Sequence, residues 1–309
     1  MPRTRTIDAP AFEEQLERNK ELKRADVELL REWCSKNPHL PSDISDNELA
    51  LFLHSNYYEV EPAKASIDTF YTFRSHVPEF FADRDPVESR ALRKMFDTLC
   101  MITLQGTTPE GYAVMFGKLL DRNSGNYNYD DNIRYFGMSV DVLMHEKGSL
   151  SPGLVIVFDV EGASLGHAAH FSPSSFKKFL FYLTKALPVR LKALHYINTS
   201  SVMDFMLTLM KPFMNKSLMD LLHLHSSPES LDKFVPLHIL PNEYGGKAGA
   251  LLDLHKAQIA KLEAYRDWFL EDERSGRVDE SKRIGEPMNP TKLYGGSRAK
   301  ANLQKLDID

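Results

Sequence analysis

The sequence has almost no cysteine: Cys34 and Cys100 are the only two in 309 residues. Two distant thiols make no disulfide framework, and they point to a reducing compartment. Long hydrophobic runs are missing as well. No stretch reaches the roughly 18 continuous apolar residues of a membrane span. The opening "MPRTRTIDAPAFEEQLERNK" turns acidic before an apolar run forms, unlike a signal peptide. A cytoplasmic protein is expected. The phosphate loop G-x-x-x-x-G-K-[ST], the dinucleotide fingerprint G-x-G-x-x-G and the zinc motif H-E-x-x-H are absent. No cofactor is implied. A net charge of -5 argues against nucleic acid as a general partner.

What is present is an ordinary globular composition, 42% hydrophobic and 26% charged, in a chain long enough to bury a substantial core. Up to about Asp97 the periodicity is helical: "DVELLREWCSKNP" carries one apolar face before Pro38 stops it, Asp46 is a fitting N-cap, and another helix starts near Pro62. The character then changes. "YAVMFGKL", "GLVIVFDV" and "RLKALHYIN" read as strands, with "LHILP" (237–241) as a short fourth, separated by the helical "DDNIRYFGMSVDVLMHEKG" and "SPSSFKKFLFYLTKALP". Alternating strands and helices predict an α/β fold with parallel neighbours. One long amphipathic segment, "GALLDLHKAQIAKLEAYRDWFLEDE", leads into a polar tail from Arg274 that reads as an extended strap or as disordered. The expected divisions are 1–97, 98–252 and 253–309.

Several residue patterns carry candidate chemistry. "GASLG" fits the nucleophile elbow G-x-S-x-G at Ser164, with Asp204, Asp220, Asp232, His238 and His255 downstream. Against it, "DVE" separates the glycine from its strand, and no HGGG-type oxyanion segment stands upstream; a glycine turn explains the pentapeptide equally. "HAAH" (His167, His170) and "HLH" (His223, His225) lack the further ligands a metal site needs. Arg190 and Lys192 share one side of a strand, and Lys211 and Lys216 follow; together they suit an anionic headgroup or are ordinary surface cations. Between them lies "SSVMDFMLTLMKPFMN", a Met and Phe stripe at helical spacing interrupted by Pro212. It reads as two short helices, the second starting near Pro212, which are either core or a cover for something apolar.

The ordered set "GLVIVFDVEGASLGHAAHFSP", "PVRLKALHYIN", "KPFMNKSLMDLLHLH" and "LPNEYGG" resembles the successive motifs of the CRAL-TRIO lipid-binding family. "DNELALFLHSNYYEVEPAKASIDTFYTFR" is similar to the helical module that precedes the domain there, and the closing "QKLDID" to the end of insect-type members. The resemblance implies an N-terminal helical module followed by a mixed, mostly parallel sheet with flanking helices and a helical gate over an apolar pocket. Pocket positions of the tocopherol-binding members fall on Ile133, Phe136, Val140, Leu154 and Phe158, then on Phe179, Tyr182, Leu183, Leu187 and Leu194, with Met206 and Met210 reaching in from the gate. The gate is expected to comprise Val202, Met203, Phe205 and Met206, then Leu209, Met210, Phe213 and Met214. Phosphate-binding positions fall on Arg190 and Lys192, with Lys211 and Lys216 nearby, whereas two gate positions that are basic in relatives are Ser217 and Leu221 here.

The expectation is a non-enzymatic carrier of one hydrophobic small molecule of isoprenoid type, such as a retinoid, tocopherol or carotenoid. Its partners would be that ligand and, transiently, a membrane surface, and a monomer is assumed. A phosphoinositide or phospholipid exchanger, a serine hydrolase using Ser164, and a scaffold with a filled pocket are the alternatives.

Overall fold

The computed structural model describes residues 10–289; the ends of the chain, including "QKLDID", lie outside the described residues. Five strands form one mixed sheet in the order β1 (Leu99–Thr107), β2 (Ala113–Leu119), β3 (Leu154–Asp159), β4 (Leu191–Ile197) and β5 (Leu222–Leu224). β1 and β2 are antiparallel; every later pair is parallel, with a helical connection between β2 and β3 and another between β3 and β4. β2, β3 and β4 coincide with the runs expected to be strands. β1 and β5 were not foreseen, and "LHILP" is a turn of 3-10 helix at Leu237–Ile239 rather than a strand. Prolines at 236 and 241 bracket it, and neither can donate to a ladder.

Both faces of the sheet are buried, which is why the strands read as continuous apolar runs. Leu154, Ile156, Met101 and Leu194 face the helices, whereas Val155, Val157, Ala193 and Ile197 pack on the 3-10 turns between Pro228 and Tyr244 and on Leu251. The N-terminal helices (Arg24–Ser35, Asp46–Ser55 and Val60–His76) share a single hydrophobic core with the first of these faces. Local capping departs slightly from expectation. Ser45 rather than Asp46 caps its helix, in a reciprocal box with Glu48. The next helix starts at Val60, leaving Pro62 in its first turn, where a missing N–H costs nothing. The C-terminal amphipathic segment is two helices, Leu251–Ala264 and Arg266–Ser275, broken at Tyr265. The described part of the tail is a strap: Arg283 holds Asp68 at 2.8 Å and Thr72 at 2.7 Å, and Val278 N–H donates to Ser75 Oγ.

A buried charge cluster ties these layers together. Arg74 donates to both oxygens of Asp141 (2.9 and 3.0 Å) and to Asp272 (2.8 Å), and Arg84 donates to the same two carboxylates. The two guanidiniums lie over aromatic faces, Arg74 on Phe70 and Phe81, Arg84 on Phe269. Burial by itself would raise the Asp141 carboxyl, but Arg74 and Arg84 hold it below the usual carboxylate range. Removing one partner strands a buried charge. Arg84→Met is therefore expected to lower the unfolding free energy by about 3–5 kcal/mol, measured by urea denaturation at pH 7. The combined Arg84→Met/Asp272→Leu variant is expected to lose less than the sum of the two single changes.

At the far edge, β5 is held to β4 by rings as well as backbone. His195 stacks on His223 with centroids 4.7 Å apart, its Nδ1 lies 2.9 Å from His225 Nε2, and Phe234 covers all three histidines. Burial pushes His195 down to about 3, and burial with Arg190 nearby pushes His54 down to about 3. Unfolding would return both to about 6.5, so the unfolded state binds more protons below that pH and stability must fall. The fall is expected between pH 7 and 5, above the carboxylate range, as a drop in Tm. The His54→Gln/His195→Gln variant should show a shallower slope.

Candidate functional site

A cavity of about 220 Å3 lies on the helical side of the sheet, toward the C-terminal ends of the parallel strands. Its floor is Leu99 and Met101 of β1, Phe158 of β3 and Tyr196 of β4. The helix Tyr129–Lys147 supplies Tyr129, Asn132, Ile133 and Phe136. Asn128 caps that helix, accepting from Asp131 N–H. The opposite side is Phe171, Phe176 and Phe179, and the cover is Val202, Met203, Met206 and Met210 from the helix Ser201–Met210. Gly117 is required at the floor, because a Cβ there would meet the Phe158 ring at 2.7 Å.

Polar groups at the strand ends are spoken for. Asp159, with its side chain fully buried, accepts from Lys118 Nζ (2.6 Å), Asn198 Nδ2 (2.8 Å), Tyr244 Oη and Glu161 N–H. Burial opposes its charge, but these bonds, led by Lys118, hold the carboxyl below its ordinary range. Lys118 also reaches Glu161 at 2.9 Å, so the cation bordering the cavity is neutralised. This cluster is what the D-x-x-G-x-S stretch builds: Gly162, at φ 85°, turns the chain, and Ser164 starts a five-residue helix.

Ser164 borders the cavity, but its partners are those of a helix cap. Its N–H donates to His167 Nδ1 (3.2 Å), and its Oγ lies 2.9 Å from the same nitrogen. With Nδ1 accepting, the proton of neutral His167 sits on Nε2, which has no partner, and no carboxylate orients the ring as in a triad. None of Asp204, Asp220, Asp232, His238 or His255 borders the cavity; His255 Nε2 is bound to Phe96 O at 2.8 Å. Among the described residues no group of three or more His, Cys, Asp or Glu is arranged to hold a metal ion, and no helix is long and apolar enough to cross a membrane.

Six positions expected in the pocket border the cavity: Ile133, Phe136, Phe158, Phe179, Met206 and Met210. Six others do not. Phe136 and Phe179 meet edge to face at 5.4 Å and close that side, leaving Val140, a turn further along, buried in solid core. Tyr182 stacks on Phe73 (5.7 Å, 16°), so it belongs to the seam with the N-terminal helices. Leu183 and Leu187 lie in and just after a turn of π-helix, Tyr182–Ala186, and pack into the core. Leu154 and Leu194 share the cavity's face of the sheet but stand earlier on their strands than Phe158 and Tyr196, at about 3.3 Å per residue. Leu154 instead borders a much smaller hollow with His54 and Arg190.

The methionine segment is also divided differently. Met203, Leu207 and Met210 are buried, Phe205 is 46% exposed, and Leu209, Phe213 and Met214 lie outside the cavity lining. Phe213 packs on Phe176 instead. Pro212 sits in a 3-10 turn, Lys211–Phe213, and the following helix begins only at Lys216, capped by Asn215. The four cations are not equivalent. Arg190 lies over the rings of Tyr57 (4.2 Å) and Tyr58 (5.6 Å), both at positive φ, with its Nε on His54 O. Lys192 lies over Tyr112, whereas Lys211 and Lys216 are exposed. Missed altogether were Tyr127, Tyr129, Phe171, Phe176 and Tyr196. The aromatic density of "NYNYDDNIRYF" was the available signal.

Residues 98–246 match the family described as CRAL/TRIO domain, and residues 19–91 the one described as Pinta-like, UBA domain. Alpha-tocopherol transfer protein-like of Mus musculus and of Homo sapiens are each 30% identical over 240 residues, spanning 77% of this chain and 69% of theirs. Clavesin-1 of Mus musculus is 22% identical over 237 residues, 75% of this chain and 66% of its own. The crystal structure of Sfh5 covers 78% of this chain and 91% of that chain with a TM-score of 0.49 at 15% identity.

Proposed function

Because the chain belongs to the CRAL/TRIO lipid-binding family, we propose that it carries one hydrophobic small molecule of isoprenoid type in the cavity beneath the Ser201–Met210 helix. The observation that carries this reading is the cavity itself, apolar on nearly every side and covered by methionines. Unbranched thioether side chains adapt to an irregular ligand without a fixed shape of their own. At about 220 Å3 it is smaller than the roughly 300–1,000 Å3 of drug-sized ligand sites. It therefore suits a compact lipid, or a longer one that displaces the cover. The Ser201–Met210 helix is the gate in this reading. It packs Met203, Leu207 and Met210 inward and shows Phe205 outward, so a membrane could take its outer side as the cavity takes its inner one.

Two alternatives lose support. A phosphorylated headgroup inside the cavity would meet no unpaired cation, since Lys118 is held by Asp159 and Glu161. Ester hydrolysis at Ser164 would lack an oriented base. Anionic headgroups fit better at the surface, where Lys211 and Lys216 flank the gate and Arg190 and Lys192 stand at the start of β4.

Native mass spectrometry of protein purified from its source is expected to show one lipid per chain, released by organic solvent, and Met206→Arg should abolish its retention. Protein free of lipid that also takes up no retinoid, tocopherol, carotenoid or sterol overturns the reading. For the surface, Lys211→Ala/Lys216→Ala is expected to weaken binding to phosphatidylserine-containing vesicles, read by flotation, by about thirtyfold, at about 1 kcal/mol per lysine. Unchanged binding by that variant and by Arg190→Ala/Lys192→Ala removes the headgroup role.

A further inference from the structure

Within the otherwise apolar cavity, three phenol groups gather at one end: Tyr127, Tyr129 and Tyr196 all border it, together with Asn132. Tyr129 is fixed against Phe171 (centroids 5.8 Å) and Tyr196 against Phe158 (5.6 Å), its cross-strand neighbour. Asn132 Nδ2 donates to the Tyr127 oxygen at 3.0 Å, which leaves the Tyr127 proton to be given elsewhere. The hydroxyls of Tyr129 and Tyr196 have no hydrogen-bond partner among the described residues. Burial pushes Tyr127 and Tyr196 up to about 12, so these groups stay neutral, and the nearby phenols of Tyr127 and Tyr196 add to the rise at Tyr129. The Tyr129 and Tyr196 hydroxyls open onto the cavity, so an apolar ligand filling it would withdraw both from water without a partner, which is costly. The charged groups bordering the cavity are already paired, Lys118 with Asp159 and with Glu161 beyond it.

We propose that Tyr127, Tyr129 and Tyr196, with Asn132, form a subsite for a single neutral oxygen, so that the ligand is a lipid alcohol, aldehyde or ketone rather than a pure hydrocarbon, a carboxylic acid or a phospholipid. This rests on the carrier reading above and narrows it. The phenol protons meet the lone pairs of the ligand oxygen, and Asn132 Oδ1 is left to accept from an alcohol. A carboxylate placed there would be buried without a cation, at a cost that two or three neutral donors do not offset. Hydrocarbon would leave the hydroxyls unsatisfied or trap their water.

One carbon skeleton with four end groups tests the assignment: farnesol, farnesal, farnesoic acid and α-farnesene, each competed against the neutral fluorophore N-phenyl-1-naphthylamine. The alcohol and aldehyde are expected to bind at least about tenfold more tightly than the hydrocarbon, the worth of two net hydrogen bonds. In Tyr129→Phe/Tyr196→Phe, with folding checked by circular dichroism and Tm, that ratio should fall close to one. Equal binding of farnesol and farnesene by the unaltered protein, a ratio the double substitution does not change, or tightest binding of the acid overturns the subsite and leaves carriage standing. Binding of none of the four overturns carriage of such lipids and the subsite with it.

Discussion

Arg74 and Arg84 bind Asp141 and Asp272 where four parts of the chain meet: the Val60–His76 helix, the loop after Phe81, the Tyr129–Lys147 helix and the Arg266–Ser275 helix. The side chains are almost completely buried, so each charge depends on the others, and no one of these segments can withdraw without stranding a charge in the core. The constraint reaches the cavity directly. Asp141 sits on the same helix as Ile133 and Phe136, and Tyr182, beside the cluster, is stacked on Phe73 and meets Phe81 edge to face. The wall of the ligand space is thus pinned to the N-terminal helices by charge and by aromatic packing. The opposite boundary, the Ser201–Met210 helix, is held by apolar side chains, and among the described residues it has no ion pair.

That asymmetry organises the site. On the fixed side, strand ends, a capped helix and the Asp159 cluster set polar groups to within a hydrogen bond of one another. On the other, methionines supply area without geometry, because dispersion contacts are individually weak and tolerate rearrangement. On the proposed reading the first side would recognise the ligand and the second would yield to it. The cavity is shorter than the resemblance implied because Phe136 and Phe179 fill the space that leads to Val140 and Leu183. Two aromatic rings at van der Waals contact leave no room for a chain.

Much of the fold was legible in advance, and for identifiable reasons. β2, β3 and β4 announce themselves because a parallel strand buried on both faces is an unbroken apolar run. β1 escaped notice because "LCMITLQG" continues straight from the Arg90–Thr98 helix with no turn residue to mark the change. β5 is three residues long and exists only because β4 offers it a partner and His195 offers His223 a ring to stack on. "LHILP" had the composition of a strand, but Pro236 and Pro241 bracket it and cannot donate to a ladder.

The sequence alone determined the family, the alternation of strands and helices and the apolar character of the methionine segment. Those properties are carried by local periodicity and by motifs a few residues long. Only the tertiary structure decided which of the expected pocket residues meet the cavity, and that Tyr129 and Tyr196, 67 positions apart, share its polar end. It also decided that Lys118 is neutralised there. Whether a buried side chain faces a void or another side chain depends on what three or four other segments place opposite it, and no single stretch of chain encodes that.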